Sequence, residues 1–269
     1  MARPLFVSPL LSRWLLLSAS AFLLEIGTAE STPAASPSPS EARPLPTATP
    51  FAGPLQPASV GSGRDSFTGR LHFPHNTPAS EADAAAQFYC DVSATGDVEW
   101  TYRVVAKEEE FRLAVQSALD WGRFKPATTA GKPVAAYVAG TVLFLHRNGE
   151  ALIVVSLATQ DRERVGRLAN YIQPQLVGGL RRRLEEARAA LPYGLVTDGD
   201  AEVVVKVNEQ GAIVSTTLVA EEPKSSGLGA FVEGALKGAQ FTPAYIDGKP
   251  AAGEINVIVR FSDQPIAGQ

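Results

Sequence analysis

The sequence predicts an α+β fold with two small domains, each a β-β-α-β unit in which a three-stranded antiparallel sheet packs on a helix, the first extended by a fourth strand. The main observation is a decamer, F-x-P-A-x-x-x-G-K-P, that occupies residues 124–133 and again 241–250. The same order of alternating and helical hydrophobic patterns surrounds both copies. A chain of 269 residues, 45% of them hydrophobic, is long enough to bury two small cores.

The N-terminal residues predict export. Arg3 and Arg13 precede an apolar stretch at 14–24, and small residues follow at 27–29. This pattern is typical of a cleavable signal peptide, to which we assign residues 1–29. The apolar stretch is short for a bilayer of about 30 Å. An uncleaved N-terminal membrane anchor is the alternative.

Residues 30–69 predict a linker rich in Pro, Ser and Ala. Eight prolines lie between residues 31 and 60, among Ser, Ala and Thr. Such a composition buries too little apolar surface to fold and favours an extended polyproline II chain. We therefore expect the folded part to begin at residue 70.

Charge and cysteine content exclude several classes of protein. The net charge is −4 and the 24 Lys and Arg residues are dispersed, so we expect no nucleic-acid surface. Cys90 is the only cysteine, which rules out an intrachain disulfide. It alternates with Phe88 and Val92, a pattern that predicts a buried strand residue and not a reactive thiol.

The elements around the decamers correspond in order. A hairpin precedes each helix, at residues 88–105 around Gly96 and at 202–219 around Gly211, and a strand follows each decamer. The helical stripes match at an offset of 117 residues, Phe111, Ala114, Val115, Ala118 and Leu119 against Leu228, Phe231, Val232, Ala235 and Leu236. The final strands carry Val138, Gly140, Val142 and Phe144, and Ile255, Val257, Val259 and Phe261.

The decamer itself predicts a structural connection from the helix to the final strand. We expect its aromatic residue to fill space beneath the helix, its first proline to stiffen the exit, its glycine to adopt a positive φ, and its Lys-Pro pair to start the last strand. The residues assigned to this motif are Phe124, Pro126, Gly131, Lys132 and Pro133, and Phe241, Pro243, Gly248, Lys249 and Pro250.

These motifs resemble the C-terminal domain of TonB, the periplasmic energy transducer. The likeness is clearer in the second repeat, residues 192–262, where Pro192-Tyr193 and Ser225-Ser226-Gly227 also resemble neighbourhoods of that family. The first repeat, residues 70–160, is weaker and lacks the S-S-G pattern. The resemblance implies two TonB-C-like domains of α+β fold, each with a three-stranded antiparallel sheet.

Members of that family bind a short peptide as an added strand at the edge beside the third strand. In the first repeat, residues 151–158 are expected to fill this edge through a hairpin at Asn148-Gly149. In the second repeat nothing comparable follows, because residues 263–269 form a short polar tail. The resemblance therefore assigns the peptide-binding edge to Glu254, Ile255, Asn256, Val257, Ile258, Val259 and Arg260. Coverage of this edge by a homodimer or by the N-terminal segment is the alternative.

The segment between the repeats predicts connecting helices over 161–191. Hydrophobic residues at helical spacing occur at 161–172, and we expect this helix to cover the second face of the first sheet. A second set at helical spacing lies at 180–191, after a break at Gln173-Pro174.

We find no motif for catalysis or for a cofactor. The spacing His72-x-x-His75 lacks further ligands for a metal, and Gly227-Leu228-Gly229 lacks the βαβ setting of a phosphate loop. With no such motif, the resemblance implies a non-enzymatic protein of the periplasm or cell envelope that binds extended peptides or partner proteins, such as a segment of an outer-membrane receptor, in TonB-type outer-membrane transport. We expect no metal, no small-molecule substrate and no nucleic acid. The alternatives are a true energy transducer with an uncleaved anchor, and an envelope enzyme that uses a groove between the repeats.

Overall fold

The computed structural model describes residues 54–74, 83–147, 150–159, 170–189 and 198–261. These residues form a mixed α and β protein in which antiparallel strands predominate. The predicted signal peptide, most of the predicted linker and the tail 263–269 lie outside them. Within the described ranges, no helix is long and apolar enough to cross a membrane.

The first half of the described chain contains two helices and nine strands. They are β1 (Leu55–Gln56), β2 (Ser59–Val60), α1 (Phe67–Arg70), β3 (Ala84–Val92), β4 (Val98–Ala106), α2 (Glu109–Trp121), β5 (Phe124–Lys125), β6 (Ala127–Thr129), β7 (Lys132–Val134), β8 (Ala136–Arg147) and β9 (Glu150–Ser156).

The second half repeats much of this order. Its elements are β10 (Tyr171–Ile172), β11 (Gln175–Val177), α3 (Leu180–Ala189), β12 (Gly199–Val207), β13 (Ile213–Glu222), α4 (Leu228–Leu236), β14 (Phe241–Thr242), β15 (Ala244–Ile246), β16 (Lys249–Ala251) and β17 (Gly253–Phe261).

Two larger sheets organise these strands, and all their pairings are antiparallel. One has the order β14-β11-β8-β3-β4, with β9 also paired to β8, and the other has the order β13-β12-β17. The expected fourth strand is confirmed, since β9 pairs with β8 from Glu150 opposite Arg147 to Ser156 opposite Thr141. The turn Asn148-Gly149 lies outside the described residues.

Both predicted helical stripes are buried against the hairpin strands that precede them. In β3, Phe88, Cys90 and Val92 join the core beneath α2, and Cys90 is fully buried, as predicted. In β12, the side chains of Val203, Val205 and Val207 pack in the core beneath α4. Each helix therefore covers one face of its own three-stranded unit.

Each decamer forms a short hairpin of its own. Gly131 and Gly248 have φ angles of 77° and 76°, as predicted, and the residues before them, Ala130 and Asp247, are also at positive φ. Consecutive positive φ values are typical of the two-residue turn that joins antiparallel strands. Our assignment of the Lys-Pro pair to the start of the last strand was wrong, because these pairs lie in β7 and β16, which fold back on β6 and β15.

The glycine of each preceding hairpin positions the main chain of the decamer phenylalanine through a backbone hydrogen bond. The amide of Phe124 donates to the carbonyl of Gly96 at 2.8 Å, and the amide of Phe241 donates to that of Gly211 at 3.1 Å. A Cβ on Gly96 would lie 2.1 Å from the carbonyl oxygen of Phe124. Only glycine permits this close approach, so hairpin and decamer together form one connection.

The folded part begins earlier than predicted. Strands β1 and β2 lie inside the predicted linker and pair with β6 and β5 of the first decamer, and Phe67 of α1 is fully buried. In the same way β10 and β11 pair with β15 and β14 of the second decamer.

The predicted helix at 161–172 is wrong at Tyr171–Ile172, because these residues form β10, whereas residues 160–169 lie outside the described part. The helix predicted at 180–191 is observed as α3.

The two halves contribute side chains to a shared hydrophobic core, although we expected separate domains. All described residues belong to one compact unit, Ala48–Gln269. Strand β11 joins β14 to β8, so the second decamer extends the first sheet. The second face of that sheet, which we expected residues 161–172 to cover, packs through Tyr89, Tyr102 and Tyr137 against α3 and β17.

Candidate peptide-binding edge

The predicted binding edge, residues 254–260 in β17, is the last strand of its sheet but is not free at its centre. On one side β17 pairs with β12, from Gly253 opposite Val207 to Phe261 opposite Gly199. On the other side, the hydroxyl of Tyr137 accepts a hydrogen bond from the amide of Ile258 at 3.0 Å and donates one to the carbonyl of Asn256 at 3.3 Å. An added strand needs free main-chain groups, and at these two residues the outward groups of the predicted edge are already hydrogen-bonded.

Tyr137 is well suited to this role. Its side chain has no exposed surface, and burial raises the pKa of its phenol well above the usual range, so the hydroxyl stays protonated and can donate. A buried tyrosine hydroxyl normally finds a polar partner, and here both partners are main-chain groups of the edge strand. A strand added to the centre of β17 would have to displace Tyr137 from the shared core.

The remaining predicted edge residues divide between core and surface. Ile255, Val257 and Val259 are buried beneath α4, and Glu254 and Arg260 are exposed at the two ends. Asn256 donates from its side-chain amide to the carboxylate of Glu202 at 2.7 Å, and its Oδ1 is buried without a hydrogen-bond partner in the described part of the chain.

A second contact fixes the shared core beside Tyr137. The buried carboxylate of Asp91, in β3, accepts hydrogen bonds from the hydroxyl of Tyr102 at 2.8 Å and from the amides of Leu180 and Arg181 at 2.8 to 3.0 Å. These amides begin α3, so a residue of the first half caps a helix of the second. Burial raises the pKa of Asp91, and the amide hydrogen bonds oppose that rise.

The opposite edge of the same sheet, β13, is open. Among the described strands it pairs only with β12. Its pairing is interrupted at two places, where Val219 and Val214 are left without a partner residue. Such bulges turn side chains away from the regular pleat. Val214 and Val219 are accordingly 66% and 54% exposed, and the neighbouring Leu218 is 41% exposed.

A groove of about 580 Å³ lies along the second half of β13. Its walls combine aliphatic and charged side chains from both halves of the chain. They include Arg103 of β4, Asp200 and Glu202 of β12, Leu218–Glu222 of β13, Lys224, Ser225 and Ile258.

The motif Ser225-Ser226-Gly227 connects this groove to α4. Ser225 and Gly227 have φ angles of 57° and 84°, and Gly227 is the residue before the helix. The carboxylate of Glu221 accepts a hydrogen bond from the amide of Gly229 at 3.0 Å in the first turn. The motif therefore forms the tight turn from β13 into α4. The negative charge of the Glu221 carboxylate interacts favourably with the positive N-terminal end of that helix.

The sequence predicted the strand β13 but not its open edge. The signal that could have indicated it is an uncharged run rich in β-branched and aliphatic residues, V-S-T-T-L-V at 214–219, next to a charged stretch at 221–224. The ten predicted decamer residues contribute to the connections described above and not to this surface. The described residues include no group of three or more His, Cys, Asp or Glu arranged to hold a metal ion.

No protein-family model, no curated protein and no solved structure matches this chain. The resemblance to the TonB C-terminal domain therefore remains a prediction from the sequence motifs.

Proposed function

We propose that this chain is a non-enzymatic protein of the bacterial cell envelope that binds an extended polypeptide segment along β13. The observation that carries the proposal is the open edge of β13 with its three exposed aliphatic side chains, Val214, Leu218 and Val219. An added strand gains main-chain hydrogen bonds from such an edge and side-chain contacts from the aliphatic residues.

The stretch between the two bulges has a regular pairing register that an extended segment can continue. Ser215, Thr216, Thr217 and Leu218 pair in sequence with Lys206, Val205, Val204 and Val203. In β17, the amide of Ile258 faces away from β12. Because backbone groups alternate in direction along antiparallel strands, this orientation aims the amide of Thr217 toward β12 and the amide of Thr216 toward the open side.

We infer that the chain contains two copies of a TonB-C-like β-β-α-β unit. The order of strands, the two buried helical stripes, the paired decamers and the two hairpin glycines support this inference. In the first copy the edge beside the third strand is filled by β9 and β11, and in the second the same edge is held by Tyr137. The hairpin edge of the second copy is therefore the site that we assign to the partner.

We further propose that the chain acts in the periplasm, with a segment of an outer-membrane protein as its partner. The pattern of residues 1–29 supports export, and the resemblance to the TonB family supports a partner of this kind. An extended segment fits because no described strand pairs with the outer side of β13, and main-chain hydrogen bonds can add a strand there whatever the detailed sequence of the partner.

Proline substitutions test the proposal. Thr216→Pro removes an amide on the open side, whereas Thr217→Pro removes an amide of the β12–β13 ladder and serves as the matched control for loss of stability. Binding of the full chain and both variants would be measured on an array of overlapping peptides from outer-membrane proteins of the source organism.

We expect the wild-type chain to bind a subset of extended peptides, and Thr216→Pro to lose that binding while it keeps a thermal midpoint close to that of the wild type. Thr217→Pro should lower the thermal midpoint clearly. Undiminished peptide binding by a folded Thr216→Pro variant would contradict the assignment to β13, and the absence of any bound peptide for the wild type would contradict the proposed function itself.

A further inference from the structure

The long edge strands in the described residues differ in how they are protected from pairing with another chain. The edge strands β4 and β13 each contain two register shifts and carry charged residues. The edge of β17 is engaged by the hydroxyl of Tyr137. Bulges, charges and covering side chains are the usual means by which edges avoid further pairing.

Among the described residues, strand β9 lacks these protections except for one charged residue at its start. It pairs with β8 over seven consecutive residues without a register shift, and no described strand lies on its other side. Glu150 is its only charged residue, and Ala151–Ser156 is uncharged. Leu152 in this stretch is 45% exposed. A regularly paired edge of this length, with a single charge at one end, is expected to pair with another strand.

The local structure limits where that pairing can extend. Immediately after β9, the carbonyl of Leu157 accepts a hydrogen bond from the amide of Gln173 at 2.9 Å, and Leu157 forms a bridge with Ile172. An added strand can therefore reach no further than Ser156. The available edge is the seven-residue stretch Glu150–Ser156.

This stretch is complementary to itself. When it is paired antiparallel with the same stretch of a second copy and centred on Ile153, Glu150 lies opposite Ser156 and Leu152 lies opposite Val154. Aliphatic residues then meet aliphatic residues, and no two like charges face each other across the pair. Twofold symmetry needs this kind of self-complementary contact. A second copy of the chain satisfies the requirement without any other partner.

We propose that β9 pairs antiparallel with β9 of a second copy and that the chain is a twofold-symmetric homodimer. The β9–β9 pair joins the β9-containing sheet of one copy to the same sheet of the second copy across the symmetry axis. The surface around β13 is separate in sequence and in sheet from β9, so each copy keeps its own β13 edge. This inference does not rest on the proposed peptide binding.

Charge substitutions at the exposed Leu152 test the dimer. In the proposed register the two Leu152 side chains are diagonal neighbours, about 7 to 8 Å apart. Leu152→Lys and Leu152→Glu each place two like charges at this distance, and a mixture of the two variants places opposite charges there. Val214→Lys, a similar substitution on the exposed part of β13, is the matched control. The mass of the full chain in solution would be measured by sedimentation equilibrium over a range of micromolar concentrations.

We expect the wild type and Val214→Lys to be dimers, Leu152→Lys and Leu152→Glu each to be monomers, and their mixture to form dimers again. Circular dichroism would check that every variant is folded, and Leu152→Arg or Leu152→Asp, which keep the charge at the same exposed position, would replace any variant that is not. A monomeric wild type would overturn the proposal. Dimers that persist in both folded Leu152 variants, or a mixture that stays monomeric, would also overturn it.

Discussion

At the scale of single residues, two buried polar groups join the halves of the chain. The hydroxyl of Tyr137 satisfies the outward amide and carbonyl at the centre of β17, and the carboxylate of Asp91 satisfies the hydroxyl of Tyr102 and two amides of α3. Buried polar groups stabilise a fold when they are paired and are costly when a partner is removed. These contacts therefore specify how the halves pack together.

Removal of the Tyr137 hydroxyl should destabilise the protein. Tyr137→Phe keeps the ring but leaves the buried amide of Ile258 without its acceptor. We expect a loss of about 1 to 3 kcal/mol in the free energy of unfolding, measured by urea denaturation. As a control, Tyr89→Phe changes another buried tyrosine of the shared core, whose hydroxyl donates to the side-chain oxygen of Gln87 at 3.4 Å. A loss near zero for Tyr137→Phe would show that the contact to β17 contributes little.

Asp91 should make stability depend on pH in a defined direction. Its pKa is raised by burial in the folded state, so folding favours the protonated carboxyl. The folded chain then binds more protons than the unfolded chain between the raised pKa and the ordinary value of about 3.9, and stability rises as pH falls through this window. We expect the wild type to gain stability relative to Asp91→Asn as the pH falls from neutrality to about 4. A stability difference that does not change with pH in thermal unfolding would contradict this expectation.

At the scale of elements, each hairpin glycine and its decamer act as one connection. The amide of each decamer phenylalanine donates to the carbonyl of the glycine in the preceding hairpin, so the turn and the decamer hold each other in place. This arrangement explains why the same ten-residue skeleton occurs twice, and it does so without any catalytic or ligand-binding role for those residues.

Two alanine substitutions separate backbone strain from steric overlap at this connection. Gly96 and Gly131 have φ angles of 89° and 77°, so alanine is strained at both positions. A Cβ at Gly131 meets no atom within 4 Å, whereas one at Gly96 would lie 2.1 Å from the oxygen of Phe124. We expect Gly131→Ala to cost about 1 to 2 kcal/mol of unfolding free energy and Gly96→Ala clearly more. Equal losses in chemical denaturation would contradict the close approach at Gly96.

The sequence was sufficient to predict elements whose signals are local. The hairpins, both helical stripes, β9 and the positive φ of Gly131 and Gly248 follow from periodicity and turn chemistry. The contact of Tyr137 with β17 joins residues more than a hundred positions apart, and no local pattern indicates it. The strands β1, β2, β10 and β11 are short, but a shared pattern, Q-P-x-x-V-G, occurs at 56–61 and 173–178 and could have extended the repeat.

At the scale of the whole molecule, both proposed interactions involve the edges of the sheets. Tyr137 engages the centre of the edge predicted on β17 because the halves share a hydrophobic core and do not form separate domains. That shared core could not be predicted from either repeat taken alone, since it depends on how one sheet packs on the other. The open edge at β13 supports the binding of a partner, and the regularly paired edge at β9 supports pairing of two copies.

Amide hydrogen exchange of the full chain, measured with and without the peptide that binds most tightly on the array, tests the central proposal most directly. An extended segment on β13 should slow exchange at Thr216, whose amide faces the open side, and should leave Thr217 nearly unchanged, because its amide is already in the β12–β13 ladder. The Thr216→Pro variant, mixed with the same peptide, is the control for indirect effects. Slowed exchange at Glu254 or Arg260 of β17, with no change at Thr216, would contradict the account.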